Sequence, residues 1–384
     1  MSSSKILSVL TASALAIPTL SSAADMPTQN SLSYVSSFYT EDAISGSQSI
    51  DGKEHDRYDI KVNQFHVMAP ISEDETISFD YIHDAMSGAS PWSVAPVGTT
   101  NKVIMSGASI KDTRQDTRIN YTKYERFRTS GITFSNSREN DYNSYSLGGD
   151  LQLSLSDKNT VIGAGASISW DTIKPTQGIY ANLLDGITKE NKNTYSIYGS
   201  VTQVIDKKTL VQFGASTSFH TGYLSDAYKM NDKRPDYRFM TTTNIKLVYF
   251  FDQVDASAHL EYRYYKDSWA VRSDTIGLTM YKNLQGDYQI VPSIRYYSQD
   301  AAKFYNTNTT QASTAQYYSD DYRLTKYGAI GTGLKVIKRL SDITVYGSFE
   351  RYNTNNDFAL GANSKNNPGL VSYTRMSIGI EYKF

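Results

Sequence analysis

The chain has 384 residues, with 38 Lys and Arg against 39 Asp and Glu, no Cys, and a formal net charge of −1. This near-neutral balance gives no excess of basic residues for binding nucleic acid. The lack of Cys excludes disulfide frameworks, Cys-based zinc sites and thiol nucleophiles. The unusual feature is 31 Tyr beside only 14 Phe and 3 Trp. Because buried cores favour aliphatic side chains, so many amphipathic rings predict a special interface.

The first 24 residues have the features of a secretory signal. Lys5 precedes an apolar stretch at 6–17, and small residues at 21–24 suit cleavage. The apolar stretch is too short to cross a bilayer as a helix. We therefore predict a signal peptide over 1–24 and a single exported domain over 25–384.

Apolar and polar residues then alternate in one segment after another, beginning at 31–39 and 58–68. In one example, Leu151, Leu153 and Leu155 alternate with Gln152 and Ser154. A period of two predicts strands with one apolar and one polar face. No segment approaches the roughly 18 apolar residues of a transmembrane helix.

The connections between these segments alternate in length. Short polar turns are predicted at 69–75, 156–160, 206–209, 251–255, 283–287 and 339–342. Longer polar segments lie at 41–55, 86–112, 171–191, 221–237, 299–320 and 353–369. Short connections on one rim and long ones on the other are typical of outer-membrane barrels, whose short turns are periplasmic.

The C-terminal segment indicates the same class. Phe384, Tyr382, Ile380, Ile378 and Met376 share one face. A terminal aromatic residue on an alternating strand resembles the signal that the barrel-assembly machinery recognises. We predict an all-β transmembrane antiparallel β-barrel of about 16 strands in the outer membrane, with 14 or 18 as alternatives. Such a barrel pairs its backbone internally, and aromatic girdles explain the Tyr excess.

The polar strand faces predict a lumen with charges of both signs. A mixed lumen argues against strong ion selectivity, although the same charges would serve equally well as ladders that stiffen the wall. The charged segment at 232–238 would bind an anionic ligand or lipopolysaccharide phosphates, or form a self-satisfied ion-pair cluster. The candidate residues for the lumen or its mouth are Asp80, Asp84, Arg114, Arg118, Arg234, Asp236, Arg238, Arg263, Asp267, Arg295, Lys303 and Glu350.

No catalytic residue, metal site or cofactor is predicted. The best acid–base pair is His83 with Asp84, but adjacent residues on a strand point to opposite faces. The five His residues show no metal-ligand spacing. A surface hydrolase is therefore a minor alternative.

Five segments resemble domain-of-unknown-function family 3570, namely HDAMSGASP at 83–91, SGASIKDTR at 106–114, DKRPDYR at 232–238, YRYYKDSW at 262–269 and RYYSQDAAKFY at 295–305. With ERY at 350–352 and the C-terminal strand, the likeness covers essentially the whole mature chain. The resemblance implies a Gram-negative outer-membrane barrel of no established activity. It also implies genes beside a flavin transferase, a thioredoxin-like protein and a small lipoprotein.

We expect a channel for small hydrophilic solutes. The alternative is a non-conducting barrel whose loops fill the lumen and which anchors or displays a partner lipoprotein of an exported redox or flavin system. The family segments are expected at the extracellular mouth, as a constriction, plug or docking surface. Expected partners are outer-membrane lipid and lipopolysaccharide, the barrel-assembly machinery, a small lipoprotein and further copies of the chain, but no nucleic acid.

Overall fold

The computed structural model describes residues 26–384 apart from 106–109, 156–158, 177–187, 230, 309–313 and 362–365. The predicted signal peptide and the middle of the predicted turn at 156–160 lie outside the described residues. Sixteen strands of the described chain close into one antiparallel barrel, and two more form a separate hairpin. Among the described residues, no helix has both the length and the apolar character that crossing a bilayer requires.

The strands follow one another around the barrel in chain order, interrupted only by the hairpin of β4 and β5. They are β1 Ser31–Glu41, β2 Asp59–Pro70, β3 Glu75–Gly88, β4 Pro91–Val97, β5 Thr100–Met105, β6 Ile110–Glu125, β7 Arg128–Arg138, β8 Tyr142–Ser154, β9 Thr160–Ile173, β10 Glu190–Val204, β11 Thr209–Gly222, β12 Tyr237–Phe251, β13 Ala256–Asp267, β14 Arg272–Leu284, β15 Tyr288–Gln299, β16 Tyr327–Leu340, β17 Ile343–Asn355 and β18 Tyr373–Lys383. Single 3₁₀ turns occupy Asp252–Val254, Tyr322–Leu324 and Asn356–Phe358.

The first and last strands close the barrel. β1 pairs antiparallel with β18, from Ser31 opposite Lys383 to Glu41 opposite Tyr373. Closure leaves no free strand edge, so the backbone groups of the wall are paired without water. The predicted barrel class and the count of 16 are confirmed, and β1 contains the strand predicted at 31–39.

The two faces of the wall differ as the alternation predicts. Large apolar side chains point outward, and Ile197 and Ile378 keep 62% and 65% of their surface exposed. The outward set on β18 and beyond includes Met376, Tyr382 and Phe384. A continuous outer band of this kind requires lipid around it, because water would make its exposure costly.

The two rims differ in their connections. At the turn rim, where Asn30 and Phe384 exchange backbone hydrogen bonds, strands are joined by 71–74, 126–127, 155–159, 205–208, 252–255, 285–287 and 341–342. The opposite loop rim has long connections at 42–58, 89–109, 174–189, 223–236, 300–326 and 356–372, but also two short ones, at 139–141 and 268–271. The hairpin β4–β5 stands within the connection 89–109.

Candidate functional site

Five of the long connections meet over the barrel mouth, and we call the described residues of 42–58, 89–109, 223–236, 300–326 and 356–372 the loop cap. At its centre lies Tyr322, which is 4% exposed. The Arg57 guanidinium lies 5.4 Å from the centre of the Tyr322 ring, and the Lys229 ammonium lies 5.5 Å from it. Both distances are those of cation–π contacts.

These two cations come from opposite walls of the barrel. In the ring of sixteen strands, the β1–β2 connection that carries Arg57 is diametrically opposite the β11–β12 connection that carries Lys229. Strands about 4.8 Å apart and tilted by about 40° give a barrel roughly 30 Å across. Since both cations reach one ring, the loop cap extends over the axis of the barrel.

A buried ion-pair network joins two of the connections in the loop cap. Asp321 has no exposed side-chain surface and accepts hydrogen bonds from Arg234 Nη2 at 2.8 Å and Arg323 Nε at 2.9 Å. Arg234 also pairs with Asp232 at 2.8 Å, and Arg323 with Asp226 at 3.0 Å. The self-satisfied cluster that the sequence offered as an alternative is therefore what surrounds Arg234.

Further polar contacts bring in the remaining connections. Arg57 Nε lies 2.7 Å from Glu41 Oε2, and Arg57 Nη1 donates to the carbonyl oxygen of Gly369 at 2.9 Å. The backbone N–H of Val94, on the β4–β5 hairpin, donates to Asp320 Oδ2 at 3.2 Å. All five connections of the loop cap are therefore linked by hydrogen bonds, ion pairs or cation–π contacts.

An apolar cluster packs beneath one side of the loop cap. The Trp269 and Phe304 rings meet edge to face at 5.2 Å, and the Arg238 guanidinium lies 4.2 Å from the centre of the Trp269 ring. Its buried members are Leu224, Trp269, Val271, Ala302, Phe304 and Leu324. The cap therefore has a small hydrophobic core of its own.

Below the loop cap, the lumen face of the wall is polar and includes pairs of serines. Ser135 bonds Ser146 at 2.5 Å, and Ser196 bonds Ser218 at 2.8 Å. Side chains this short do not reach across a barrel roughly 30 Å wide. The described connections at the turn rim are too short to reach over it.

Several predicted lumen residues form ion pairs within the wall or at the loop rim. Arg114 pairs with Asp84, Arg238 Nε with Asp267 at 2.8 Å, and Glu350 with Arg375 at 2.5 Å. His66 Nδ1 lies 2.8 Å from Asp80 Oδ1, which is hydrogen-bond distance. These pairs stiffen the wall and cancel most of the charge that each residue would contribute alone.

Other predicted residues are placed differently. Arg118, Arg263 and Arg295 lie on the lumen face without an ion pair in the described part of the chain. Asp236 and Lys303 are exposed on the loop cap. Strand alternation places His83 on the face opposite Asp84 and Asp80, so these residues do not share a cleft.

The structure also gathers three acids that the sequence spacing did not indicate. Asp112, Glu139 and Asp141 are buried at the loop rim, each with a carboxylate oxygen within 4.8 Å of the others. β6 pairs with β7 so that Gln115 lies opposite Arg138. Continued by three residues, this register places Asp112 opposite the turn at 139–141. The sequence would have shown the cluster only if the register of these two strands had been predicted.

The chain is similar to a known family in sequence and to solved structures in fold. The model of the family described as "Protein of unknown function (DUF3570)" matches residues 7–374. The chain belongs to this family. No curated protein matches it in sequence.

Solved structures share the fold at low sequence identity. A bacterial polysaccharide outer membrane secretin is 9% identical, with a TM-score of 0.50 over 94% of this chain and 100% of that one. CdiB from Acinetobacter baumannii is 8% identical, with a TM-score of 0.54 over 93% of this chain and 60% of that one. OprB from Pseudomonas putida is 10% identical, with a TM-score of 0.45 over 92% and 94%. The first two likenesses show an outer-membrane-barrel fold.

The segments that carry the family resemblance lie at or near the loop rim. Residues 83–91 run from the end of β3 into the next connection, and 232–238 run from the β11–β12 connection into β12. Residues 262–269 run past the end of β13, and 295–305 run from β15 into the loop cap. Residues 106–109 of the remaining segment lie outside the described residues. The described segments supply Arg234 to the ion-pair network, and Trp269 and Phe304 to the apolar cluster.

Proposed function

We propose that this protein is an outer-membrane channel for small hydrophilic solutes whose loop cap faces the cell exterior and restricts passage. The observation that carries the proposal is the Tyr322 ring, which is contacted by Arg57 and Lys229 from opposite walls. Loops that meet over the axis narrow the opening at one rim only. A water-filled interior behind a narrowed mouth is the architecture of a restricted pore.

The polar wall supports conduction below the loop cap. A barrel that served only as an anchor would not need a lumen lined by polar and charged side chains rather than packed apolar ones. Lys246 and Glu261 pair at 2.7 Å across neighbouring strands, as do Glu350 and Arg375 at 2.5 Å. Since such pairs cancel most of the lumen charge, we expect weak ion selectivity.

Conductance of the refolded protein in a planar bilayer tests the proposal. The variant Tyr322→Ala removes the ring that both cations contact, and Lys303→Ala changes an exposed cap residue as a matched control. We expect small conductance steps from the wild type and the control, and larger steps from Tyr322→Ala. Reversal potentials in a salt gradient should stay close to zero.

Two results would contradict the restricted channel. Large steps from the wild type, unchanged in Tyr322→Ala, would show that the loop cap does not limit conduction. Silence from both proteins, with both shown to be folded and inserted, would refute conduction altogether.

A second candidate function follows from the same loop cap. A rim spanned by interlocked loops presents a continuous outer surface, on which Asp236 and Lys303 are exposed. The protein would then be a non-conducting barrel that holds a partner, and the family resemblance suggests a small lipoprotein of an exported redox system. Silent bilayers, together with retention of that lipoprotein by the wild-type barrel, would support this candidate.

A further inference from the structure

Three carboxylates crowd together at the loop rim, at the top of adjacent strands. Asp112 lies near the start of β6, and Glu139 and Asp141 lie in the tight connection between β7 and β8. Their side chains retain only 8%, 7% and 9% exposure, and each places an oxygen within 4.8 Å of the others. Three negative charges that are this close together and this little exposed to water repel one another strongly unless a proton or a cation neutralises them.

The cation beside the cluster is shared with a fourth carboxylate. Arg114 lies on β6, two residues from Asp112, and it pairs with Asp84 of β3. The loop rim is therefore rich in carboxylates at this point.

Two carboxylate oxygens of the cluster also lack hydrogen-bond donors. Glu139 Oε2 and Asp141 Oδ1 are buried with no donor in the described part of the chain. The other oxygen of Asp141 accepts from the Tyr228 hydroxyl at 2.6 Å, and Asp112 Oδ1 accepts from Asn140 Nδ2 at 2.7 Å. Buried carboxylate oxygens without a donor are rare because their desolvation is costly, so these two point to a missing cation.

We propose that Asp112, Glu139 and Asp141 bind a calcium ion at the loop rim. The donor set consists of hard carboxylate oxygens, which Ca²⁺ prefers, with water completing a shell of 6–8 oxygens. Two oxygens bound to one Ca²⁺ at about 2.4 Å each can be at most about 4.8 Å apart. The observed limit of 4.8 Å therefore permits a shared ion. Mg²⁺ demands shorter, near-octahedral distances, which fit an irregular triad less well.

The ion would also fix part of the loop cap. Tyr228, which bonds to Asp141, belongs to the β11–β12 connection and accepts a hydrogen bond from the backbone N–H of Thr176 at 2.8 Å. Calcium would thus hold β6, the β7–β8 turn and one cap loop together. This consequence is independent of whether the barrel conducts.

Calcium binding to the refolded protein tests the proposal. The protein is refolded in detergent free of lipopolysaccharide, which itself binds divalent cations, and is treated with EDTA before equilibrium dialysis against ⁴⁵Ca²⁺. Glu139→Gln removes one ligand charge, and Glu73→Gln at the turn rim is the matched control. We expect one saturable site on the wild type and on Glu73→Gln, and at least tenfold weaker binding to Glu139→Gln.

Thermal unfolding, followed by the circular dichroism of the strands, gives a second readout. Calcium should raise the unfolding midpoint of the wild type and of Glu73→Gln but not that of Glu139→Gln. In EDTA, Glu139→Gln should be more stable than the wild type because it relieves repulsion. If Glu139→Gln fails to fold, Asp141→Asn replaces it.

Three outcomes would overturn the proposal or its choice of ion. Saturable binding of equal strength to the wild type and the ligand variants would place the ion elsewhere. No saturable binding to a folded wild type would mean that protons alone neutralise the triad. Stronger binding of Mg²⁺ than of Ca²⁺ in the same dialysis would overturn the assignment of the ion.

Discussion

Removing Arg57 should open the loop cap while leaving the barrel intact. The Arg57 and Glu41 side chains are 1% and 0% exposed and lie 2.7 Å apart. Glu41 Oε1 also accepts a hydrogen bond from the Tyr39 hydroxyl at 3.1 Å, but no other cation pairs with it in the described part of the chain. Arg57→Ala therefore leaves a carboxylate buried without its counter-charge, and it frees the carbonyl oxygens of Gly369 and Leu370.

The size of the effect follows from burial. Removing one partner of a buried ion pair costs about 3–5 kcal/mol, because the remaining charge stays desolvated. At about 1.4 kcal/mol per tenfold change, this corresponds to roughly a 100- to 3,000-fold larger population of the open cap. We expect this cost to open the cap rather than unfold the barrel, because opening a few loops exposes far less buried surface than unfolding sixteen paired strands.

Amide hydrogen exchange measures this opening directly. We expect amides at 318–325 to lose protection by roughly 100-fold or more in Arg57→Ala, whereas amides within the barrel strands keep theirs. Lys53→Ala, which changes an exposed residue of the same connection, is the control and should behave as the wild type. The double variant Glu41→Gln with Arg57→Ala should recover part of the protection. Protection at 318–325 that stays within threefold of the wild type would refute the reasoning.

Three further predictions concern the loop cap and the barrel ends. Burial tends to raise the pKa of Asp321, but the charges of Arg323, Lys229 and Arg234 outweigh it and hold that pKa well below its usual range. A carboxylate whose folded-state pKa is depressed stabilises the fold above its ordinary pKa, near 4. The cap should therefore stay closed from pH 7 to about 4 and open only at lower pH. The emission of Trp269, in a variant in which Phe replaces the other two tryptophans, will report the opening. Gly88 has a φ of +139°, and a Cβ there would overlap the backbone of Arg57. Gly88→Ala should therefore lower the free energy of chemical unfolding by about 1–3 kcal/mol. Gly277→Ala, where a Cβ would meet open space, is the control and should leave that free energy unchanged. Phe384→Ala should lower the folded fraction in cells, measured by heat-dependent electrophoretic mobility, without impairing refolding in detergent.

The wall could be predicted from the sequence because its physical constraint is periodic. Lipid lies on one side of every strand and water on the other, so residues such as Leu151 and Leu153 must alternate with polar ones. The same constraint fixed the face of the C-terminal residues and, through the alternation of short and long connections, the two rims. The number of strands could be counted because each crossing of the membrane needs its own alternating segment in the sequence.

The loop cap could not be predicted in the same way. Its loops have no period, and its central contacts join Arg57, Lys229 and Tyr322, which lie far apart in the sequence. Arg234 was singled out as a charged loop residue, but its partner Asp321 carried no signal of its own. The short β7–β8 turn was also missed, because the polar residues 139–141 look like any loop until the strand register is known.

Different forces stabilise the wall and the loop cap, and this difference has a functional consequence. Backbone hydrogen bonds and lipid contact stabilise the wall, and neither depends on pH or on ions over the ordinary range. Buried charges stabilise the cap, as the ion-pair network around Asp321 shows, and the proposed calcium triad ties it to β6. Solution conditions that act on charges should therefore change the cap more than the wall. Under the proposed function, such conditions would widen or narrow the mouth while the barrel below it stayed folded.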